Sequence, residues 1–244
     1  MDTVVPVAAV RVAGLAKRYG RREALAGVDL EISSGEAFGL VGANGAGKTT
    51  LLKCVLDFCS TDAGRIEIFG VPSAEPASRA RLAYVPERFL PPYYLRGREF
   101  LQLTVGLGGV AFSESAARAL LGELALEADA LERPVRELSK GMTQKLGLAA
   151  GFLLQRELTV LDEPMSGLDP ESRAAVKGVL ARLRREGRTL LFTSHVLSDV
   201  EELCSGMAVL DRGRLRFRGT PAALRERYGE PGLEGAFLRC VHAG

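Results

Sequence analysis

Apolar and polar positions alternate between residues 7 and 35, with Val10, Val12 and Leu15, then Leu25, Val28, Leu30 and Ile32, on one side. A period of two puts these side chains on one face of a pleated strand, so the stretch predicts an antiparallel, hairpin-like sheet. Arg65 to Gly70 repeats the strand pattern before a glycine turn, and Leu82 to Glu87 predicts another strand that ends at Pro86. From Arg88 to about Arg156 the alternation disappears. Gly97 to Leu103 and Ser113 to Leu126 carry helical spacing instead, with Ser113 as N-cap and Ala117, Leu120, Leu121 and Leu124 sharing a face. This predicts a helical lobe inserted into an α/β core. The lobe closes at Leu138 to Met142, and a helix follows through Leu146, Leu148 and Phe152.

Leu158 to Leu161 is apolar except for Thr159, which suits a parallel strand buried on both faces. Asp169, Pro170 and Glu171 then supply an N-cap, a first-turn proline and an acid facing the helix dipole. Val176, Val179, Leu180 and Leu183 make that helix's buried stripe, and Gly187 ends it. Thr189 to Ser194 reads as a strand with His195 at its carboxyl end, and Ser198 with Glu201 predicts a capping box for the next helix. Met207 to Arg218 predicts a hairpin turning at Arg212-Gly213. Thr220-Pro221 starts a terminal helix that Gly229 stops.

Composition narrows the setting. The 244 residues suit one α/β domain with an insertion. Against 30 acidic side chains, 32 basic ones leave a net charge of only +2, so no nucleic-acid partner is expected. The longest apolar stretch, near Leu146 to Leu154, is far short of the roughly 20 residues that span a bilayer. Asp2 and Pro6 interrupt the one candidate leader segment. Cys54, Cys59, Cys204 and Cys240 lack paired metal-ligand spacing and read as reduced thiols. These features predict a cytosolic chain.

The chemistry centres on residues 38 to 52. Phe38, Leu40 and Val41 predict a buried strand, and Gly42, Ala43, Asn44, Gly45, Ala46, Gly47, Lys48 and Thr49 fit G-x-x-x-x-G-K-[ST], with Thr50 adjoining. Glycines let the backbone curl so that several N–H groups point at a phosphate chain. Lys48 reaches the β- and γ-phosphates, the Thr49 hydroxyl can ligate Mg²⁺, and the helix through Leu51, Leu52 and Val55 turns its positive end to the same phosphates. At the end of the Leu158–Leu161 run, Asp162 and Glu163 are either solvated acids that terminate a strand or a metal-holding pair. The phosphate loop favours the second, with Asp162 where Mg²⁺ needs an acid. Tyr19 is either a plain strand aromatic or a ring that stacks on a base.

In order along the chain stand GANGAGKT, YVPE, LSKGM, VLDEP, SGLD and TSH. This succession resembles the ATP-binding cassette (ABC) family over essentially the whole length. The resemblance implies a P-loop NTPase α/β fold: a mostly parallel RecA-like core over residues 1–87 and 157–229, an N-terminal antiparallel β part, a helical subdomain over about 88–156, and a short tail over 230–244. It implies ATP and Mg²⁺ as cofactors, hydrolysis with Glu163 as general base, His195 on the γ-phosphate, Tyr19 on adenine, and metal held by Thr49 and Asp162. Glu87 stands where similar proteins carry Gln in the loop that senses the γ-phosphate and metal. Lys140 and Met142 replace Gly and Gln of their signature. Ser139 and Gly141 are expected to meet ATP across a head-to-tail homodimer. The YVPE and SKGM variants and the segment Gly232 to Leu238 resemble the export-type branch, whose members energise separate integral-membrane subunits from the inner face of the membrane. Non-transport cassette proteins and a nucleotide-dependent scaffold with an impaired site are the alternatives. Phe89, Leu90, Tyr93, Tyr94 and Leu95, clustered around Pro91-Pro92, are either core or a docking surface for the membrane subunit.

Overall fold

Strands β1 (Ala8–Tyr19) and β2 (Arg22–Ser33) pair antiparallel, as the alternation predicts, and all seven of the apolar residues singled out there are buried. The computed structural model describes residues 8–243. Asp2, Pro6 and Val7, used in the readings above, lie outside the described residues. β3 (Ala37–Val41) is buried throughout and leads into α1 (Lys48–Val55). β4 (Ala63–Ile68) returns to pair with β1, and the two-residue β5 (Val71–Pro72) pairs with β4 through a turn at Gly70, giving the sheet order β2-β1-β4-β5. A short helix α2 (Pro76–Arg79) precedes β6 (Leu82–Val85).

The next segment is helical. α3 (Gly97–Leu107) and α4 (Glu114–Glu123) pack on α5 (Lys140–Leu153). Ser113 caps α4 as predicted, accepting from the Ala116 N–H, and Ala117, Leu120, Leu121 and Leu124 are buried. From Gln144 to Phe152 every residue of α5 is buried, because the helix sits between the lobe and β6.

β7 (Leu158–Leu161), α6 (Pro170–Arg185), β8 (Thr189–Ser194), α7 (Leu197–Leu203), β9 (Gly206–Asp211) and β10 (Arg214–Gly219) complete a second sheet, ordered β10-β9-β3-β8-β7-β6. Its strands are parallel except the edge strand β10. Helix α1 lies between the two sheets, so Leu51, Leu52 and Val55 share one apolar cluster with Val10, Leu30, Phe38 and Leu40.

Two local expectations are corrected. The Ser198–Glu201 capping box does not form: α7 begins at Leu197, and its N-cap is Val196, which makes no side-chain cap bond. Ser194 starts the turn earlier, its hydroxyl accepting from the Val196 N–H at 3.0 Å. α8 (Pro221–Tyr228) is capped by Thr220 and stopped by left-handed Gly229 as predicted, but it is not terminal. The expected tail is a further helix, α9 (Leu233–His242), which buries Leu233, Ala236 and Cys240 against α7, α8 and the β9–β10 edge. Spacings of three and four residues carry that face.

Candidate nucleotide site

β3, β8 and β7 are adjacent parallel strands, so their carboxyl ends deliver Gly42, His195 and Asp162-Glu163 to one rim of the sheet. Open α/β sheets bind ligands at that rim. The Gly42–Gly47 loop is shaped by close approaches. A Cβ on Gly42 would lie 2.3 Å from the Leu210 carbonyl oxygen, and Gly47, at φ 112°, passes so close to β2 that a Cβ would meet the Ala24 carbonyl at 2.7 Å. Lys48 is buried and its Nζ donates to the Gly42 carbonyl at 2.6 Å and the Ala43 carbonyl at 3.3 Å. Burial lowers its pKa from the ordinary lysine value, against the opposing pull of Glu163, Asp162 and Glu87.

Asp162 is 4% exposed, and each of its carboxylate oxygens accepts a hydrogen bond. Its Oδ1 accepts from Thr193 Oγ1 at 2.6 Å, and its Oδ2 accepts from Thr49 Oγ1 at 3.4 Å. Thr193 Oγ1 also accepts from the Glu163 backbone N–H at 2.8 Å. Glu163 holds a left-handed backbone, φ 47°, a conformation costing of order 1–3 kcal/mol that concentrates at functional sites. Its Oε2 lies 2.8 Å from Nδ1 of the exposed His195. Below Asp162, burial first and then the charges of Asp162 and Glu87 push the Tyr84 phenol up to about 12.

These residues face one cavity of about 630 Å³. Its lining joins Lys48, Thr49, Thr50, Glu87, Asp162, Glu163 and His195 with Ala43, Asn44, Gly45 and Gly47 of the loop and with Tyr19, Arg22 and Ala24. Gly42 and Ala46 do not line it. Both are buried and shape the loop from behind, the Ala46 carbonyl accepting from Gly213 N–H at 2.8 Å. Ser139 and Gly141 are elsewhere, at the start of α5, where the Ser139 hydroxyl caps the helix by accepting from the Met142 N–H. Thr193, Arg22 and Ala24 were not singled out from the sequence. For Thr193 a signal existed: a hydroxyl within a wholly buried strand must find a partner.

Among the described residues no group of three or more His, Cys, Asp and Glu side chains could hold a metal alone. A hydroxyl and one carboxylate facing a phosphate-sized loop suit Mg²⁺, which takes few protein ligands and completes its shell with phosphate and water.

The sequence pattern of the ABC transporter family matches residues 25–166. The chain belongs to the ABC transporter ATP-binding family. The cassette is 40% identical over 199 residues to an ABC transporter ATP-binding protein of Nostoc sp., covering 80% of this chain and 59% of that relative's length. It is 38% identical to a Nod factor export ATP-binding protein of Burkholderia orbicola, over 90% of this chain and 73% of that one. A solved ATP-binding subunit of an ABC transporter superposes with a TM-score of 0.84 at 29% identity, covering 95% of this cassette and 98% of that chain.

Proposed function

We propose that this cassette binds Mg²⁺–ATP, hydrolyses it, and drives a separate integral-membrane subunit. The observation that carries the reading is the convergence of Lys48, Thr49, Asp162, Glu163 and His195 on one cavity that Tyr19 also lines. The loop amides and Lys48 hold the phosphates, and Tyr19 stacks on the base. Thr49 and Asp162 would hold Mg²⁺, which when bound would supply charge neutralisation for the phosphoryl group. Glu163 takes the proton of the attacking water. His195, bonded to the same carboxylate, keeps Glu163 aimed and meets the γ-phosphate. Glu87, exposed and lining the same cavity, would sense that phosphate.

Ser139 and Gly141 lie outside the cavity, and the resemblance to ABC cassettes supports a site completed by the α5 N-terminus of a second copy arranged head to tail. ATP then favours the homodimer and hydrolysis releases it. Leu90, Tyr93 and Tyr94 are exposed at the edge of the helical segment that follows Glu87, which supports docking of the membrane subunit there. That would hold the cassette on the inner face of the membrane, and no helix among the described residues is long and apolar enough to cross a membrane by itself. The Nod factor export relative supports export as the direction. The test is ATP hydrolysis by the purified chain in Mg²⁺, beside Lys48→Ala. Turnover should be measurable in the parent and lost in the variant; equal rates in the two would remove the phosphate loop from the reaction.

A further inference from the structure

Two sulfurs outside this chemistry lie in contact. Cys54 is in the last turn of α1 and is 1% exposed, while Cys59 is half-buried, its Sγ 3.5 Å from that of Cys54. The backbone makes the approach. Asp57 takes a left-handed φ of 58°, and the Phe58 N–H donates to the Lys53 carbonyl at 2.8 Å, so the chain doubles back over the helix end. Arg79 pins Asp57 with a 3.0 Å ion pair. Just beyond Cys59 the loop is tied to β1: Lys17 Nζ donates to Ser60 Oγ at 3.3 Å, and the Arg18 N–H donates to Asp62 Oδ2 at 2.6 Å. The turn therefore joins the phosphate-binding helix to the strand that ends in Tyr19.

We propose that Cys54 and Cys59 form a reversible thiol–disulfide modification site, closed by a small-molecule disulfide, which weakens ATP binding through Tyr19. The sulfurs need to approach by about 1.5 Å to reach S–S bonding distance. Cys59, the more accessible, attacks one sulfur of RS–SR as thiolate. This gives the mixed disulfide Cys59–S–SR and RS⁻, which takes a proton from water. Cys54 then releases its proton to water and attacks the Cys59 sulfur, expelling the second RS⁻, which is protonated in turn. Two protein thiols are oxidised and one external disulfide is reduced to two thiols. Burial, and secondarily the adjacent Cys59, pushes the Cys54 thiol up to about 12, so it resolves the exchange and does not start it. Cys204 and Cys240 are buried elsewhere in the fold.

The effect on ATP follows from the neighbours of Cys59. Lys17, whose Nζ donates to Ser60 Oγ beside Cys59, holds that Nζ 5.4 Å from the Tyr19 ring centroid. Drawing Cys59 onto Cys54 shifts the loop that holds Lys17 against the Tyr19 ring. The ring is half exposed. Partial loss of base stacking weakens ATP binding by about five- to tenfold. This second step rests on the nucleotide reading above; the crosslink does not.

The experiment treats the full chain with oxidised glutathione and counts free thiols after denaturation, with ATP Kd measured on the same samples. The four thiols of the chain should fall to two, with residues 54 and 59 joined in one peptide lighter by two hydrogens. Kd should rise about five- to tenfold, and dithiothreitol should restore it. In Cys59→Ser no crosslink forms and Kd does not respond to the oxidant, whereas Cys54→Ser traps a glutathione adduct on Cys59. Four surviving thiols, or separate adducts without a crosslink, overturn the site. A crosslinked chain with the Kd of the reduced chain overturns the coupling to Tyr19. If the reduced chain itself binds no ATP, the nucleotide reading fails and the thiol count still decides the crosslink.

Discussion

Thr193 Oγ1 donates to Asp162 Oδ1 at 2.6 Å and accepts from the Glu163 N–H at 2.8 Å, so one wholly buried hydroxyl orients both acids of the site. The parallel pairing of β7 with β8 brings it there. Thr193→Val keeps the shape and strips both bonds, leaving two buried groups unsatisfied at about 1–3 kcal/mol each. We expect lower stability in denaturant titrations and a higher Mg²⁺ concentration for half-maximal ATPase. Thr193→Ser should restore the Mg²⁺ requirement. A folded Thr193→Val chain with the parent's Mg²⁺ dependence would show that Asp162 needs no such support.

Glu163→Gln keeps the volume of the side chain and cannot take a proton. Turnover should drop by roughly 10²–10⁴ while Mg²⁺–ATP binding persists. The ATP-bound dimer should then accumulate in light scattering. A variant that stays monomeric in saturating ATP would count against the head-to-tail dimer, and an unchanged rate would take Glu163 out of the chemistry.

The aromatic cluster after Glu87 divides in two. Phe89 packs edge-on against Phe100, with ring centroids 5.3 Å apart, and lies over Gly147, where an added Cβ would meet the ring at 2.6 Å. Tyr93 and Tyr94 touch each other and are 68% and 66% exposed. Gly147→Ala should therefore destabilise the fold by about 1–3 kcal/mol through overpacking. Replacing Tyr93 and Tyr94 together by Ser should change stability by no more than about 0.5 kcal/mol, leave isolated ATPase activity intact and weaken co-purification with the membrane subunit. Full retention of the membrane partner by the double variant would rule out docking at this edge.

Arg98, and then Arg118, hold the Glu114 carboxyl down at about 2. In an unfolded chain it titrates near 4.3. A depressed folded pKa stabilises fully above the unfolded value, and the contribution is lost as pH falls from about 4.3 toward 2. Melting temperatures followed through that window at low salt should show a smaller pH slope in Arg98→Gln than in the parent. Because the pair is exposed, added salt should shrink the difference. Identical slopes would mean that the charge cluster does not act on stability.

Much of this protein is written locally. Alternation predicts the β1–β2 hairpin, and Ser113, Asp169 and Thr220 cap the helices they precede. The loop from Gly42 to Thr49 is legible as a phosphate cradle because glycine, lysine and threonine act through their own backbone and reach. Such signals depend on residues within a few positions of one another, where chain geometry alone sets the distances. The rest was decided by strand order and register. Nothing near Thr193 in sequence says that β8 will lie beside β7, yet that register alone puts its hydroxyl on Asp162. Phe89 and Tyr93 give the same apolar signal, and only the groove above Gly147 covers one and leaves the other in solvent. Ser198 has the sequence of a cap, but Ser194 reached the turn first. A side chain's periodicity states that it needs a partner; which partner it meets is set by packing between segments far apart in the chain.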